Sequence, residues 1–418
     1  MDENTQHPEL GQGFFHTDRK EMGMSTEKQT SNSVPFFDLT RQYARIESEI
    51  LPVVTSVLST QQFILGETVR RFEDQMASWW GLPHAVGVAS GTDALILSLK
   101  AAGLKPGETV LVPSFTFYAS ASSIVLSGGI PLFTEVDPRT FNMTSKQLSE
   151  ILSIRGERRD GFWYDHMTGS RISGIVVVHL YGQMADMSSI SAFAKEEGLW
   201  IVEDACQAIG AEHYGKPPGC SSVAAAYSFF PTKNLGGGGD GGMIATLNDN
   251  IESHLRSLRV HGSLRRYYHD EIGYNSRLDA IQAAILGVKL THLHSWNERR
   301  NELATTYSKE LCNIPDILTP IVAEGGKHVW HQYTIRVLGK GMRDTLKGYL
   351  AQRGIGSEIY YPLPQHRQPA FAHLPPQNLP ITDMLSSEVL SLPVFPELKD
   401  SEQTLVLSAI RDGMSKGG

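Results

Sequence analysis

The stretch Tyr227-Ser-Phe-Phe-Pro-Thr-Lys233-Asn-Leu-Gly236 sets one lysine just after an apolar run and at the start of a glycine-rich turn. A lysine held out of water loses part of the solvation that keeps its amine protonated, and the neutral amine is a nucleophile. The glycines Gly236, Gly237, Gly238 and Gly239 permit positive φ and close approach of backbone to a bulky ring. The chemistry implied is attack of an amine on a carbonyl to give a Schiff base. A surface lysine beside a flexible loop has a similar pattern, but the flanking stretch 224–230 is too apolar for a surface. Ser228, at the end of the same run, is placed to reach a phosphate.

Three other segments carry polar groups at the ends of apolar runs. In Leu199-Trp-Ile-Val-Glu-Asp204-Ala-Cys-Gln207, Asp204 falls at the carboxyl end of a buried strand, where sites of α/β proteins form. A carboxylate there can keep the ring nitrogen of a heteroaromatic cofactor protonated, which makes the ring an electron sink. Gln207 could donate to a phenolic oxygen of the same ring. A strand-end acid that caps the next helix is the plainer alternative. In Val86-Gly-Val-Ala-Ser-Gly91-Thr92-Asp-Ala-Leu95, a strand runs directly into a helix whose first N–H groups and dipole suit a phosphate. Gly91 would let the ligand approach and Thr92 would add a hydroxyl, although ordinary capping by Ser, Thr or Asp explains the same residues. In Gly273-Tyr-Asn275-Ser-Arg277, Asn275 and Arg277 precede an amphipathic helix that Asn275 or Ser276 could cap.

These segments need a scaffold of alternating strands and helices. Helical periodicity covers 43–58 and 69–80, and another helix follows Gly91 and ends near Gly103. Strand-like runs occupy 109–112, 130–136, 172–179, 199–202, 224–229 and 242–246, with a crossover helix over 188–197. That alternation predicts an α/β protein with a mostly parallel central sheet. Beyond about residue 250 helices are expected at 279–289, 296–311, 342–352 and 401–411, with a strand at 332–337. The expected division is a disordered tail over 1–33, a large domain over 34–250 and a smaller α+β domain over 251–418. Within the polar tail Met24 is a candidate start of translation.

The bulk properties narrow the partners. The 418 residues carry a formal charge of −8 with Lys and Arg scattered, which gives no basic footprint for nucleic acid. Three cysteines, Cys206, Cys220 and Cys312, offer neither a disulfide framework nor a zinc-type cluster, and fit a reducing, cytoplasmic compartment with no bound metal. No apolar run reaches the roughly 18–20 residues that span a bilayer, so no membrane partner is expected. A dinucleotide-binding Rossmann protein is excluded because no strand leads through G-x-G-x-x-G into a helix.

Seven motifs in register resemble the sugar aminotransferases of the DegT/DnrJ/EryC1/StrS family over roughly residues 34 to 415. They are Gly-Thr-Asp-Ala-Leu (91–95), Pro-Ser-Phe-Thr-Phe (113–117), His-Leu-Tyr-Gly-Gln (179–183), Glu-Asp-Ala-Cys-Gln-Ala (203–208), Ser-Phe-Phe-Pro-Thr-Lys-Asn-Leu-Gly (228–236), Gly-Asp-Gly-Gly (239–242) and Gly-Tyr-Asn-Ser-Arg-Leu-Asp (273–279). The resemblance implies the type I aminotransferase fold, the cofactor pyridoxal 5'-phosphate, and a homodimer with two shared active sites. Lys233 would carry the cofactor, Asp204 would hold its ring nitrogen and Gln207 its ring oxygen. Gly91, Thr92 and Ser228 would bind the phosphate together with Asn275 of the neighbouring chain, and Phe117 would stack on the ring. The tail before Val34 and the long glycine run depart from the family pattern.

The implied reaction moves an amino group from L-glutamate to a nucleotide-linked keto-hexose. His179–Asp186 and Arg259–His269 resemble members acting on 3-keto UDP- or dTDP-sugars, including a 3-keto-N-acetylglucosaminuronate branch. Arg277 would then suit a carboxylate of glutamate or uronate, because its planar fork matches one. Tyr360 and Tyr361 resemble a substrate-side loop, or simply pack a proline-rich one. His331 matches a recurrent family element with no assigned role. A 4-keto sugar nucleotide or a keto-cyclitol is the alternative acceptor, and a cofactor-binding regulator without turnover is the alternative class.

Overall fold

Every parallel strand of the main sheet is a short apolar run, because helices cover both faces and leave no side for polar residues. The computed structural model describes residues 33–416, so the expected tail, Ser33 apart, and the candidate start at Met24 lie outside the described residues. Helices α1 (Leu39–Thr60), α2 (Gly66–Trp80), α3 (Gly91–Ala101), α4 (Tyr118–Leu126), α5 (Ser145–Arg155), α6 (Met187–Glu197) and α7 (Asp249–Leu258) surround the main sheet. Helix α8 (Ala280–Leu311) leads to α9 (Met342–Gln352), α10 (Pro380–Glu388) and α11 (Asp400–Lys416).

The strands are β1 (His84–Val88), β2 (Thr109–Pro113), β3 (Ile130–Thr134), β4 (Gly156–Arg159), β5 (Phe162–Asp165), β6 (Arg171–Val178), β7 (Trp200–Asp204), β8 (Glu212–His213), β9 (Ala224–Ser228) and β10 (Gly242–Thr246). They are followed by β11 (Ile317–Leu318), β12 (Gly326–Lys327), β13 (Tyr333–Val337) and β14 (Val389–Leu392). The main sheet has nine strands in the order β1-β10-β9-β7-β6-β2-β3, with the β4–β5 hairpin attached to β6. Strands β9, β7, β6, β2 and β3 run parallel, whereas β10 is antiparallel to β9 and β1. Strands β11, β13 and β14 form a small antiparallel sheet, and β8 pairs with β12. Among the described residues no helix is long and apolar enough to cross a membrane.

Alternation along the strands decides what faces what. Ile201, Ala225 and Tyr227 pack on the side of α2, α6 and α8. Val202, Ala224 and Ala226 pack on the side of α3 and α4. Asp204 and Ser228 continue the second series, and so reach the carboxyl end of the sheet on the α3 side.

Two features differ from the sequence expectation. Residues 290–295 do not interrupt the helix, so the two helices expected at 279–289 and 296–311 are one of 32 residues. No proline falls in the gap, and Thr291 and Ser295 return their hydroxyls to the Val288 and His292 carbonyls at 2.8 Å instead of breaking the ladder. Apolar packing also crosses the expected boundary at residue 250. Leu255 and Leu258 join the core beneath α3, and Leu286, Leu290 and Leu293 join the opposite core. At the other end Val34 enters the core of the small sheet, where its N–H donates to the Gly354 carbonyl at 2.9 Å.

Helix α8 is therefore a shared splint, with its first half in one core and Leu303, Ala304, Tyr307 and Leu311 in the other. Leu286 is 0% exposed. Leu286→Ala is expected to lose about 2–5 kcal/mol of stability, the usual range for a buried leucine left as a cavity. Urea denaturation checks this, and an unchanged midpoint would contradict the packing described.

Candidate active site

At the carboxyl edge of the sheet, Val88, Gly242 and Ser228 are level across three strands, and Ala226, Asp204 and Val178 are level across the next three. This register brings together side chains that lie far apart in sequence. Helix α3 starts directly after β1, so its free N–H groups open toward the same edge. Its cap is Ser90, whose Oγ accepts the Asp93 N–H at 3.1 Å; Thr92 sits in the first turn rather than capping it. A Cβ on Gly91 would lie 2.7 Å from Ser228 Cβ and 3.0 Å from Cys206 Sγ. The missing side chain is thus what allows Ser228 to stand against the helix start, and the two form a cradle suited to an anion.

Asp204 is 6% exposed. Its Oδ2 accepts from Ser120 Oγ at 2.6 Å and its Oδ1 from the Cys206 N–H at 3.2 Å. Ser120 is in turn 3.0 Å from Thr116 Oγ1. No arginine or lysine forms an ion pair with this carboxylate among the described residues. The Lys233 amine lies close enough for the Asp204 charge to act on it. Burial lowers the Lys233 pKa below the ordinary 10.5, and the charges of Cys206 and Asp204 offset that only in part. The Lys233 amine has no hydrogen-bond partner among the described residues. An uncommitted amine with its pKa lowered by burial, beside a buried carboxylate, is the arrangement that amine chemistry requires.

Gln207 bridges two loops: its Oε1 accepts the Tyr181 N–H at 2.7 Å, and its Nε2 donates to Tyr361 Oη at 2.9 Å. Burial pushes the Tyr361 phenol well up, so it stays protonated. The Tyr181 hydroxyl donates to the Tyr360 carbonyl. Tyr360 is thus held by the loop after β6 and Tyr361 by Gln207 after β7, and Tyr361 stands 6.1 Å from the Phe117 ring. Phe117 caps α4 with no side-chain hydrogen bond and is 54% exposed, an aromatic face open at the mouth of the site.

Asn275 is exposed and Arg277 half-buried, and the Arg277 guanidinium has no ion-pair or hydrogen-bond partner among the described residues. Between them Ser276 fixes the segment. Its Oγ donates to Asp93 Oδ2 at 2.7 Å and accepts the Ala89 N–H at 3.2 Å. The Asn275-Ser276-Arg277 segment therefore runs beside the start of α3, while the other expected residues gather around Asp204 and Lys233.

Sequence reasoning passed over several participants. Ser120 follows the Pro-Ser-Phe-Thr-Phe motif that contains its neighbour Thr116, and the run of small residues after Phe117 was the available signal for it. His331 touches Asn234, with Nδ1 3.1 Å from Oδ1. Burial holds its pKa well below 6.5, and the Lys233 and Arg300 charges lower it further, so the imidazole is neutral beside the lysine. His331 is spatially close only because the loop before β13 folds back, which no local pattern reveals. Among the described residues no cluster of His, Cys, Asp and Glu could hold a metal.

Amine acylation reads the state of Lys233 directly. Labelling by acetic anhydride as a function of pH, followed by peptide mass spectrometry, is expected to place the Lys233 midpoint below the ordinary 10.5, with reactivity gained as the proton leaves. A midpoint at or above that value would contradict the buried amine.

Against known proteins, the profile of the DegT/DnrJ/EryC1/StrS aminotransferase family matches residues 44–411. A pleiotropic regulatory protein of Geobacillus stearothermophilus is 44% identical, covering 91% of this chain and 98% of its own. A UDP-N-acetyl-3-dehydro-alpha-D-glucosamine 3-aminotransferase of Acidithiobacillus ferrooxidans is 40% identical, with coverage of 91% and 98%. The crystal structure of NtdA from Bacillus subtilis with bound cofactor PMP superimposes with a TM-score of 0.82 at 29% identity, covering 93% of this chain and 86% of that one.

Proposed function

Because the chain belongs to the DegT/DnrJ/EryC1/StrS aminotransferase family, and so has the type I aminotransferase fold, we propose that it transfers an amino group from L-glutamate to a nucleotide-linked 3-keto-hexose, using pyridoxal 5'-phosphate held at Lys233. The observation that carries this reading is the half-buried Lys233 amine, without a hydrogen-bond partner among the described residues, set against the Asp204 carboxylate. The residues present fit that cofactor. The cradle of Gly91, Thr92 and Ser228 suits its phosphate, the exposed Phe117 ring its flat face, and the uncompensated Asp204 carboxylate a protonated ring nitrogen. When bound, the cofactor supplies the electron sink that makes the α-proton of an amino acid acidic.

The chain's own groups do the rest. Asp204 keeps a proton at the ring nitrogen, and Ser120 and the Cys206 N–H fix the direction of its oxygens. Lys233 Nζ, its pKa lowered by burial, would remove the proton from the donor α-carbon as general base and return it as general acid. Gln207 Nε2 has a second proton beyond the one given to Tyr361, and it is free to meet a ring oxygen. Arg277, uncommitted, receives a carboxylate of glutamate or of a uronate substrate. Tyr360 and Tyr361 line the side where the sugar would enter.

A 3-keto acceptor is favoured because the Acidithiobacillus relative is named for that substrate type. A second copy of the chain would complete the phosphate site through Asn275. The exposed segment near it, with Tyr267 79% and Ile272 94% exposed, is suited to burial by a partner. The regulatory relative supports a second reading, cofactor binding without turnover.

Lys233→Ala is expected to remove turnover and the lysine-dependent visible absorbance of the reconstituted enzyme. Release of 2-oxoglutarate from glutamate, scored with 3-keto and 4-keto sugar nucleotides and an inosose, separates the acceptors. Activity retained in Lys233→Ala would refute the catalytic assignment, and cofactor binding with no acceptor accepted would favour the regulatory reading.

Loss of a charge-assisted contact at Arg277 is worth about 1.5–3 kcal/mol. Arg277→Ala is therefore expected to raise KM for the carboxylate-bearing substrate by roughly one to two powers of ten. Steady-state kinetics with glutamate and sugar varied in turn identifies which substrate it holds, and an unchanged KM for both excludes the role.

A further inference from the structure

We propose that one face of α8 sets the position of the Lys233 amine, with Lys289 its main positioning residue, acting through the Gly236 carbonyl. The inference rests on the reading of Lys233 as the reacting amine.

The Lys233 side chain has no hydrogen-bond partner of its own among the described residues, so the backbone turn that carries it decides where its amine stands. Local bonds close that turn: the Lys233 N–H donates to the Phe230 carbonyl and the Gly237 N–H to the Phe229 carbonyl, both at 2.8 Å. A Cβ on Gly236 would lie 2.1 Å from the Pro231 carbonyl oxygen, so only glycine permits this closure.

Three side chains of α8 then grip the turn from outside. Gln282 Oε1 accepts the Gly238 N–H at 2.7 Å. Lys289 Nζ donates to the Gly236 carbonyl at 2.7 Å. Asn297 Oδ1 accepts from Asn234 Nδ2 at 2.8 Å, and the same amide nitrogen also donates to the Val329 carbonyl at 2.9 Å. Residues 282, 289 and 297 are seven and eight positions apart, about two helical turns each, which places them on one face. The helix is anchored further on, where Arg300 donates to the Val394 carbonyl at 2.6 Å and the Trp330 carbonyl at 3.2 Å. The turn is thus held against an element seated in both cores.

Lys289 is a poor choice for packing alone. It is 9% exposed, and a buried ammonium is unfavourable unless its donors are used. Burial lowers its pKa to about 8, and the charge of Glu397 offsets this only in part. Its acceptor is a backbone carbonyl three residues beyond Lys233. Methionine would fill similar space without the donor, so Lys289→Met isolates the hydrogen bond.

The test uses the full-length holoenzyme and four variants: Lys289→Met, Gln282→Leu, Leu286→Ala and Lys233→Ala. Leu286→Ala is the control, on the same helix but with no bond to the turn. In Lys289→Met, amide hydrogen exchange over 231–239 is expected to accelerate about tenfold or more while β7 stays protected. The pH midpoint of the visible absorbance should move by about half a unit or more. The kcat should fall about tenfold or more, with KM for the keto sugar changed less than about threefold. Gln282→Leu should shift exchange and midpoint in the same sense by a smaller amount, and it carries the test if Lys289→Met does not fold.

Wild-type exchange and midpoint in Lys289→Met, or in Gln282→Leu where that variant carries the test, would overturn the proposal. So would a midpoint shift of equal size in Leu286→Ala. Persistence of the absorbance in Lys233→Ala would instead defeat the assignment of Lys233 itself, a separate result.

Discussion

A carboxylate withdrawn from water stays stable only where protons are offered to it, and Asp204 imposes that requirement on everything around the carboxyl end of β7. Its oxygens are met by Ser120 Oγ and the Cys206 N–H. The first of these donors exists only because α4 begins at Tyr118, which turns Ser120 inward and leaves Phe117 at the cap with its ring exposed. The second exists because the chain turns immediately after β7, with the Ala205 N–H bonded to the Ala226 carbonyl at 2.8 Å. Satisfying one buried acid thus fixes an open aromatic face on one side and the register of β9 on the other, and Ser228 is carried to its place by that register.

The electrostatic division of labour follows from burial more than from pairing. Lys233 and His331 sit close to each other, and two cations at that spacing would repel. Desolvation resolves the conflict by favouring the neutral form of both, and it holds His331 far below its usual range. The imidazole is thereby left as a hydrogen-bonding group to Asn234, and the amine is drawn below its ordinary range. Arg277 has no ion-pair or hydrogen-bond partner among the described residues, so its guanidinium is open to an incoming anion.

Legibility in the sequence tracked how local each cause was. Strand β10 and helix α9 were readable to the residue because periodicity and flanking turn residues are local signals. The lysine, the strand-end acid and the glycine at the start of α3 were readable because each sits where an apolar run stops. The continuity of α8 through residues 290–295 was not, since Thr, His and Ser there weaken the apolar period without breaking the helix. Neither was the insertion of Val34 beside Ile355, which joins residues more than 300 positions apart. Ser120, Ser276 and His331 share that difficulty: their contacts with Asp204, Asp93 and Asn234 are made by folding, and no nearby residue announces them. The divided loyalty of α8 explains why a boundary at residue 250 reads well from texture while the packing runs across it.

The clearest separation between a structural and a reactive acid lies in two consecutive residues. Glu203 and Asp204 end the same strand, and composition cannot rank them. Alternation sends them to opposite faces, and their surroundings then differ in kind. Glu203 is 1% exposed and held by three partners: Oε2 meets His179 Nε2 at 2.7 Å, and Oε1 accepts from the Gly219 N–H at 2.9 Å and Ser222 Oγ at 2.5 Å. All of these partners belong to the scaffold, so this acid serves to lock β7 to the loops beside it. Asp204 accepts from Ser120 Oγ and the Cys206 N–H, with the Cys206 thiol also bonded to it, and no cation pairs with it among the described residues, on the face where α3 begins and Lys233 emerges. With no cation bonded to it among the described residues, facing the Lys233 amine and the positive end of a helix, Asp204 is the acid of the pair that stands where the proposed chemistry would use it.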